Sequence, residues 1–175
     1  MSFTKLVLIL LLAASLIGCK GMQDDLRPSG EDRSGDQTTT DPTTQADLVV
    51  SDTTGASVDL LEVAAANRGL VLYFTMWCPV CNSHTDHMRS NIIPYYPEVR
   101  FYLVDYLSGT VAQAKTSQES SGYAALETLV DLDNLLEDRF NGTMGVTVVI
   151  DSAGQTQMQE DYKDGSRLAE ILNGL

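Results

Sequence analysis

The sequence of 175 residues predicts an α/β domain of three layers, a central mixed sheet with helices on both faces. Three observations point to it. Leu70-Val-Leu-Tyr-Phe-Thr75 and Val99-Arg-Phe-Tyr-Leu-Val104 are apolar runs of strand length with a helical stretch between them. Such runs suit strands covered on both faces, and a strand–helix–strand unit implies parallel pairing through a right-handed crossover. Further on, residues 146–150, the turn Asp151-Ser-Ala-Gly154 and a more polar strand over 155–160 read as an antiparallel hairpin, which makes the sheet mixed. The chain then closes on an amphipathic helix from Ser166, with Leu168, Ile171, Leu172 and Leu175 at i, i+3, i+4 and i+7.

The remaining elements follow in order. A short strand over 48–51 precedes a helix over 58–67, where Leu60, Leu61, Val63 and Ala64 take core spacing and Gly69 ends the run. After the first buried strand, residues 82–93 continue a helix that Pro94 and Pro97 break. A long connection leads from the second buried strand to a helix over 124–140, with Leu129, Leu132, Leu136 and Phe140 on one face. Residues 47–175 thus form a single domain with no internal repeat.

The ends of the chain are of another kind. Residues 1–18 carry one charge, Lys5, an apolar run over 6–16 and small residues before Cys19, the order of an export signal. The apolar run is shorter than the roughly 20 residues a spanning helix needs. Residues 20–46 are Asp, Thr, Ser, Gly, Gln and Pro with almost no large apolar side chain. They bury too little to offset ordering entropy and read as a tether, with an end-to-end distance of about 30 Å as a flexible coil. Loss of 1–18 removes Lys5 and no acid, so the formal charge moves from −13 to −14. That balance excludes nucleic acid as a partner and docking on anionic headgroups through a basic patch.

Leu16-Ile17-Gly18-Cys19 resembles the bacterial lipobox. The resemblance implies cleavage before Cys19, acylation of that cysteine, and attachment by more than one acyl chain, each buried methylene contributing about 0.8 kcal/mol. It also implies a cell-envelope protein facing the periplasm. Lys20 in place of an aspartate favours the outer membrane by the sorting rule of that class.

Two other cysteines remain, in Trp77-Cys78-Pro79-Val80-Cys81, where a buried strand hands over to a helix. One close pair in an exported chain reads as a redox site rather than a disulfide framework. A cysteine at a helix start meets free N–H groups and the positive end of the dipole, which stabilise a thiolate. Pro79 suits the first helical position, where its missing N–H costs nothing. Spacing of three brings Cys81 beside Cys78. Cys78 is therefore the expected nucleophile and Cys81 the resolving thiol. Trp77 fits either core packing or a shield over the thiols.

Residues 70–81 resemble the thioredoxin superfamily, and the domain resembles its TlpA-like membrane-anchored branch, with Val146-Thr-Val-Val-Ile-Asp-Ser-Ala-Gly154 as the later strand and turn. The resemblance implies a thioredoxin-like fold and a monomeric thiol–disulfide oxidoreductase without a cofactor. Its partners would be the thiols or disulfides of exported proteins, which it would reduce, and a membrane or periplasmic redox partner. It also places Val146 and Thr147 around the pair, Thr147 where relatives carry a cis-proline. Leu72 stands where thioredoxin has a buried acid, so a proton-transfer group is not identified.

Two other classes compete. Cys78, Cys81 and His84 give C-x2-C-x2-H on one helix face, soft donors that would suit copper(I) or zinc. Copper chaperones of the Sco type share the fold but space their cysteines by three residues. Against this, His84 and His87 read as exposed helix residues. The other class is a binding lipoprotein whose disulfide staples a helix start, although so short a loop stabilises little. Asn141-Gly-Thr143 reads as a turn, and Asp86, Asp105, Glu137 and Asp138 show no spacing that separates catalysis from solvation.

Overall fold

The computed structural model describes residues 48–175. The export signal, Cys19 and the tether lie outside the described residues. Seven strands form one sheet in the order β2-β1-β5-β4-β3-β6-β7. They are β1 (Val49–Asp52), β2 (Ser57–Asp59), β3 (Gly69–Thr75), β4 (Val99–Asp105), β5 (Thr128–Val130), β6 (Val146–Asp151) and β7 (Thr156–Asp161). The helices are α1 (Leu60–Ala66), α2 (Pro79–Asn91), α3 (Val111–Ser120), α4 (Leu135–Phe140) and α5 (Ser166–Gly174). β4 runs parallel to both β3 and β5, while β6 pairs antiparallel with β3 and with β7. The sheet is mixed, as expected.

The two-residue period of β3 divides the core. Leu70, Leu72 and Phe74 point to one face, where they pack with Leu60 and Ala64 of α1 and Leu136 and Phe140 of α4. Val71 and Tyr73 point to the other, against Met88 of α2 and Leu168 and Leu172 of α5. All seven residues of β3 are buried. Each large apolar side chain so covered contributes about 1.5–3 kcal/mol, which makes β3 a rigid base for the segment that leaves its end.

Two expectations are corrected. Residues 124–140 are not one helix: β5 is a buried strand beside β4, and α4 begins only at Leu135. The spacing of Leu129, Leu132, Leu136 and Phe140 mimics a helical face, yet Leu132 is 44% exposed. Asp131 separates the two elements, its carboxylate accepting the N–H groups of Leu136 and Glu137 at the start of α4. The connection before it contains α3, which buries only Ala114 and Gln118 and so shows no apolar stripe. At the other correction, Val58 belongs to edge strand β2, and the helix starts at Leu60 because Asp59 accepts from Leu61 and Glu62 N–H.

Candidate redox site

β3 ends at Thr75 and α2 begins at Pro79, so Met76, Trp77 and Cys78 make the turn between them. Cys78 is the N-cap of α2, with extended backbone angles, and its Sγ accepts the Cys81 N–H at 3.2 Å. Pro79 takes the first helical position, and the Cys78 carbonyl accepts the Asn82 N–H at 2.9 Å. A side chain that caps a helix here is a sulfur, and what it accepts are the orphan donors of the first turn.

The two thiols differ in environment. Cys78 is partly exposed and Cys81 fully buried. At Cys78 burial works to raise the pKa, but the Cys81 thiol and the N–H groups of Cys81, Val80 and Cys78 outweigh it and hold the thiol below its ordinary value. At Cys81 burial dominates, the Cys78 sulfur adds to it, and the thiol is pushed up. One thiol is partly exposed and has its pKa lowered; its neighbour is buried and has its pKa raised.

Trp77 is strained and anchored. Its φ is +57°, a left-handed conformation uncommon for a non-glycine residue. Its backbone N–H donates to Thr75 Oγ1 at 3.1 Å, and its indole N–H donates to Asp105 Oδ2 at 2.7 Å. The ring packs on the α2 side of the core, so Trp77 is partly core as well as part of the site. Asp105 is fully buried and also accepts from Leu107 N–H, Ser108 N–H and the Ser108 hydroxyl. Sequence reasoning left Asp105 unassigned; the available signal was a carboxylate closing the apolar run Phe101 to Val104.

The loop between α4 and β6 meets the pair through a residue the sequence did not single out. Met144 Sδ lies 3.4 Å from Cys78 Sγ. Val146 and Thr147, the residues the resemblance places around the pair, are buried at the start of β6, with Thr147 in register with Tyr73. β6 pairs with β3 from Thr147 onward, and Met144 lies on the loop just before β6. No cis peptide bond occurs among the described residues, so Gly145-Val146-Thr147 is trans. Val80 and Pro79 are exposed beside the pair, as are Met76 and Met144.

The histidines are not exposed as expected. Tyr73 Oη and His84 Nδ1 are 3.0 Å apart, and Tyr162 Oη and His87 Nδ1 are 2.6 Å apart. The His84 ring lies 5.0 Å from that of Tyr162, between centroids. Burial, then the charge of His87, lowers the His84 pKa. Burial raises the Tyr162 hydroxyl to about 12, with the Asp164 carboxylate adding to it. Among the described residues no three His, Cys, Asp or Glu side chains are grouped to hold a metal ion, so Cys78, Cys81 and His84 do not form the metal set that their spacing offered. Asn141 sits at the end of α4 in a left-handed conformation, as a turn residue should.

No family model matches the chain, and no curated protein does. Solved structures do. A secreted disulfide oxidoreductase of Mycobacterium tuberculosis, homologous to E. coli DsbE, superposes with a TM-score of 0.58 at 18% identity, covering 74% of this chain and 96% of that one. A thioredoxin-like protein of Aeropyrum pernix gives 0.61 at 14% identity, covering 74% and 89%. The exposed lipoprotein thioredoxin Etrx1 of Streptococcus pneumoniae gives 0.58 at 18% identity, covering 74% and 100%. The fold of residues 48–175 is thioredoxin-like.

Proposed function

We propose that this chain is an exported, lipid-anchored thiol–disulfide oxidoreductase that reduces disulfides of exported proteins. The observation that carries the reading is the asymmetry of the pair: Cys78 caps α2 and its pKa is lowered, while Cys81 is buried one turn on and its pKa is raised. The thioredoxin-like fold supports it, as does the oxidoreductase character of the M. tuberculosis neighbour. The anchor rests on Leu16-Ile17-Gly18-Cys19.

In the forward reaction the Cys78 thiolate attacks one sulfur of a substrate disulfide. A mixed disulfide forms and the other substrate sulfur leaves as a thiolate. Cys81 then loses its proton and attacks Cys78 Sγ, which closes the Cys78–Cys81 disulfide and expels the second substrate thiolate. Two electrons pass to the substrate, the released thiolates take up protons from water, and a dithiol redox partner in the envelope restores the pair. Pro79 and the buried strand β3 keep the first turn of α2 in place while the sulfurs exchange.

Cys81→Ser tests this. It should accumulate mixed disulfides with envelope proteins that Cys78→Ser does not form, and the reduction potential of the wild-type pair should fall nearer −270 mV than about −120 mV, the values of a reductase and an oxidant. A variant that traps nothing, in a protein whose pair lies near the oxidising value, would remove the reductase reading.

A further inference from the structure

Three sulfur atoms of different chemistry meet at the start of α2. Cys78 Sγ accepts the Cys81 N–H at 3.2 Å and has the thioether of Met144 at 3.4 Å. The Cys81 thiol, one turn into α2, is in hydrogen-bonding reach of Cys78. We propose that in its reduced state this site also binds copper(I), with Cys78, Cys81 and Met144 as the three ligands.

The donor set selects the ion. Thiolate and thioether are soft ligands that favour copper(I) over harder cations. A closed zinc site takes four ligands, commonly completed by histidine or carboxylate, and no such side chain joins the two cysteines among the described residues. His84 Nδ1 is engaged with the Tyr73 hydroxyl and its ring lies against the Tyr162 ring. Geometry agrees. Metal–thiolate bonds are about 2.3 Å, so sulfurs sharing one three-coordinate ion stand about 4 Å apart. Opening the Cys78–Met144 contact by roughly half an ångström accommodates it, and Met144 is on a loop and 44% exposed, free to make that adjustment.

Access and burial are divided between the ligands. Cys78 and Met144 meet solvent and admit the ion, and Cys81, with no exposed surface, closes the inner side. Binding transfers no electron: the cation coordinates two thiolates and one thioether, any thiol proton passes to water, and the net charge of the centre is −1. The bound ion occupies the sulfur that attacks a disulfide, and the Cys78–Cys81 disulfide has no thiolate to offer the ion. Copper(I) is therefore a ligand of the dithiol form alone and blocks disulfide exchange. This goes beyond the exchange reading and needs only that the two thiols be reduced.

The test is an anaerobic titration of the reduced full chain with copper(I) held by a chromophoric chelator such as bicinchoninate, joined to X-ray absorption of the loaded protein. One ion should bind per chain, with sulfur scatterers and no nitrogen. Met144→Leu, a volume-conserving change, should weaken binding by about tenfold or more, and His84→Gln should leave it within about twofold. Met144→Leu binding as tightly as wild type, or a nitrogen scatterer that His84→Gln removes, would overturn the site. Exchange with a protein disulfide, measured on the same wild-type preparation, separates the two readings. Exchange together with undiminished copper binding by Met144→Leu removes only the copper site, and three-sulfur copper binding without exchange removes only the oxidoreductase.

Discussion

The indole N–H of Trp77 donates to the buried carboxylate of Asp105 at 2.7 Å, tying the residue that leads into α2 to the end of the neighbouring strand. Thr75 and Asp105 are partners in the parallel β3–β4 register, so the tie joins two strands at the edge from which α2 departs. The positive φ of Trp77 persists because both its backbone N–H and its side chain are held. Cys78 follows directly, and its position at the helix start depends on where that backbone leads.

Asp105→Ala should therefore destabilise the domain by about 3 kcal/mol. It leaves the Trp77 indole and the Leu107 and Ser108 N–H groups, all partly buried bonds, without their acceptor, each costing up to about 1–3 kcal/mol less whatever water recovers. Asp105→Asn keeps the shape and one acceptor and should cost less. Trp77 is the sole tryptophan, so its fluorescence reports the change directly. Denaturant unfolding should show the lost stability and the emission of Asp105→Ala should shift to longer wavelength. Unaltered emission would mean that packing alone holds the ring.

The acidity of Cys78 should be visible as a pH-dependent stability. In the window between its folded pKa and the ordinary cysteine value of about 8.5, the folded protein has lost the Cys78 proton and the unfolded chain keeps it. The unfolded state then binds more protons, so stability rises with pH. Reduced wild type should gain stability relative to Cys78→Ser as pH climbs through that window and gain no more above it. Cys81→Ala removes the hydrogen bond from the neighbouring thiol and should move the Cys78 pKa up towards its ordinary value, as read from thiolate ultraviolet absorbance. An equal pKa in both proteins would assign the acidity to the helix N–H groups alone.

Much of this is legible in the sequence. β3, β4 and β6 are runs of mostly apolar residues, broken by Arg100 in β4 and Thr147 in β6, and such runs have few other uses in a chain of this length. The cysteine pair announced its place at a strand-to-helix turn because Pro79 can start a helix and a buried strand must end somewhere. What escaped was whatever lacked an apolar signature or depended on register. α3 buries only an alanine and a glutamine. β5 is three residues long and borrows its neighbours' leucines to look helical. Met144 meets Cys78 only because β6 pairs with β3 in one register out of several, and no spacing along the chain encodes that contact.

His84 gives a second pH dependence, of opposite origin. Burial and the charge of His87 depress its pKa below the ordinary 6.5, with Tyr73 and Tyr162 as the other polar groups facing it. Between 6.5 and the lower folded value the unfolded chain takes up a proton that the folded one refuses. Stability must therefore fall as pH drops through that window, and the loss is complete below the folded pKa. Thermal unfolding of wild type and His84→Gln across about pH 5 to 7 should show a steeper acid decline in wild type. Parallel curves would place the histidine in solvent.

The loop that carries Met144 is set by a glycine without room for a side chain. A Cβ at Gly142 would meet Phe74 ring carbons at 2.1, 2.2 and 2.5 Å, distances that real Cβ atoms do not show. Phe74 is itself fully buried on β3, and its carbonyl accepts the Gly145 N–H at 3.0 Å, so neither partner is free to withdraw. Gly142→Ala should cost at least about 2–3 kcal/mol, in the upper range for overpacking. Gly145 differs: a Cβ there meets nothing within 4 Å, and only its φ of +89° resists substitution. Gly145→Ala should cost about 1 kcal/mol. Phe74→Leu combined with Gly142→Ala should be more stable than the sum of the two single losses, since the smaller side chain vacates the space the new methyl needs. Denaturant unfolding of the four variants checks the ranking and the coupling, and strict additivity would mean that the backbone, not the Phe74 ring, is what Gly142 accommodates.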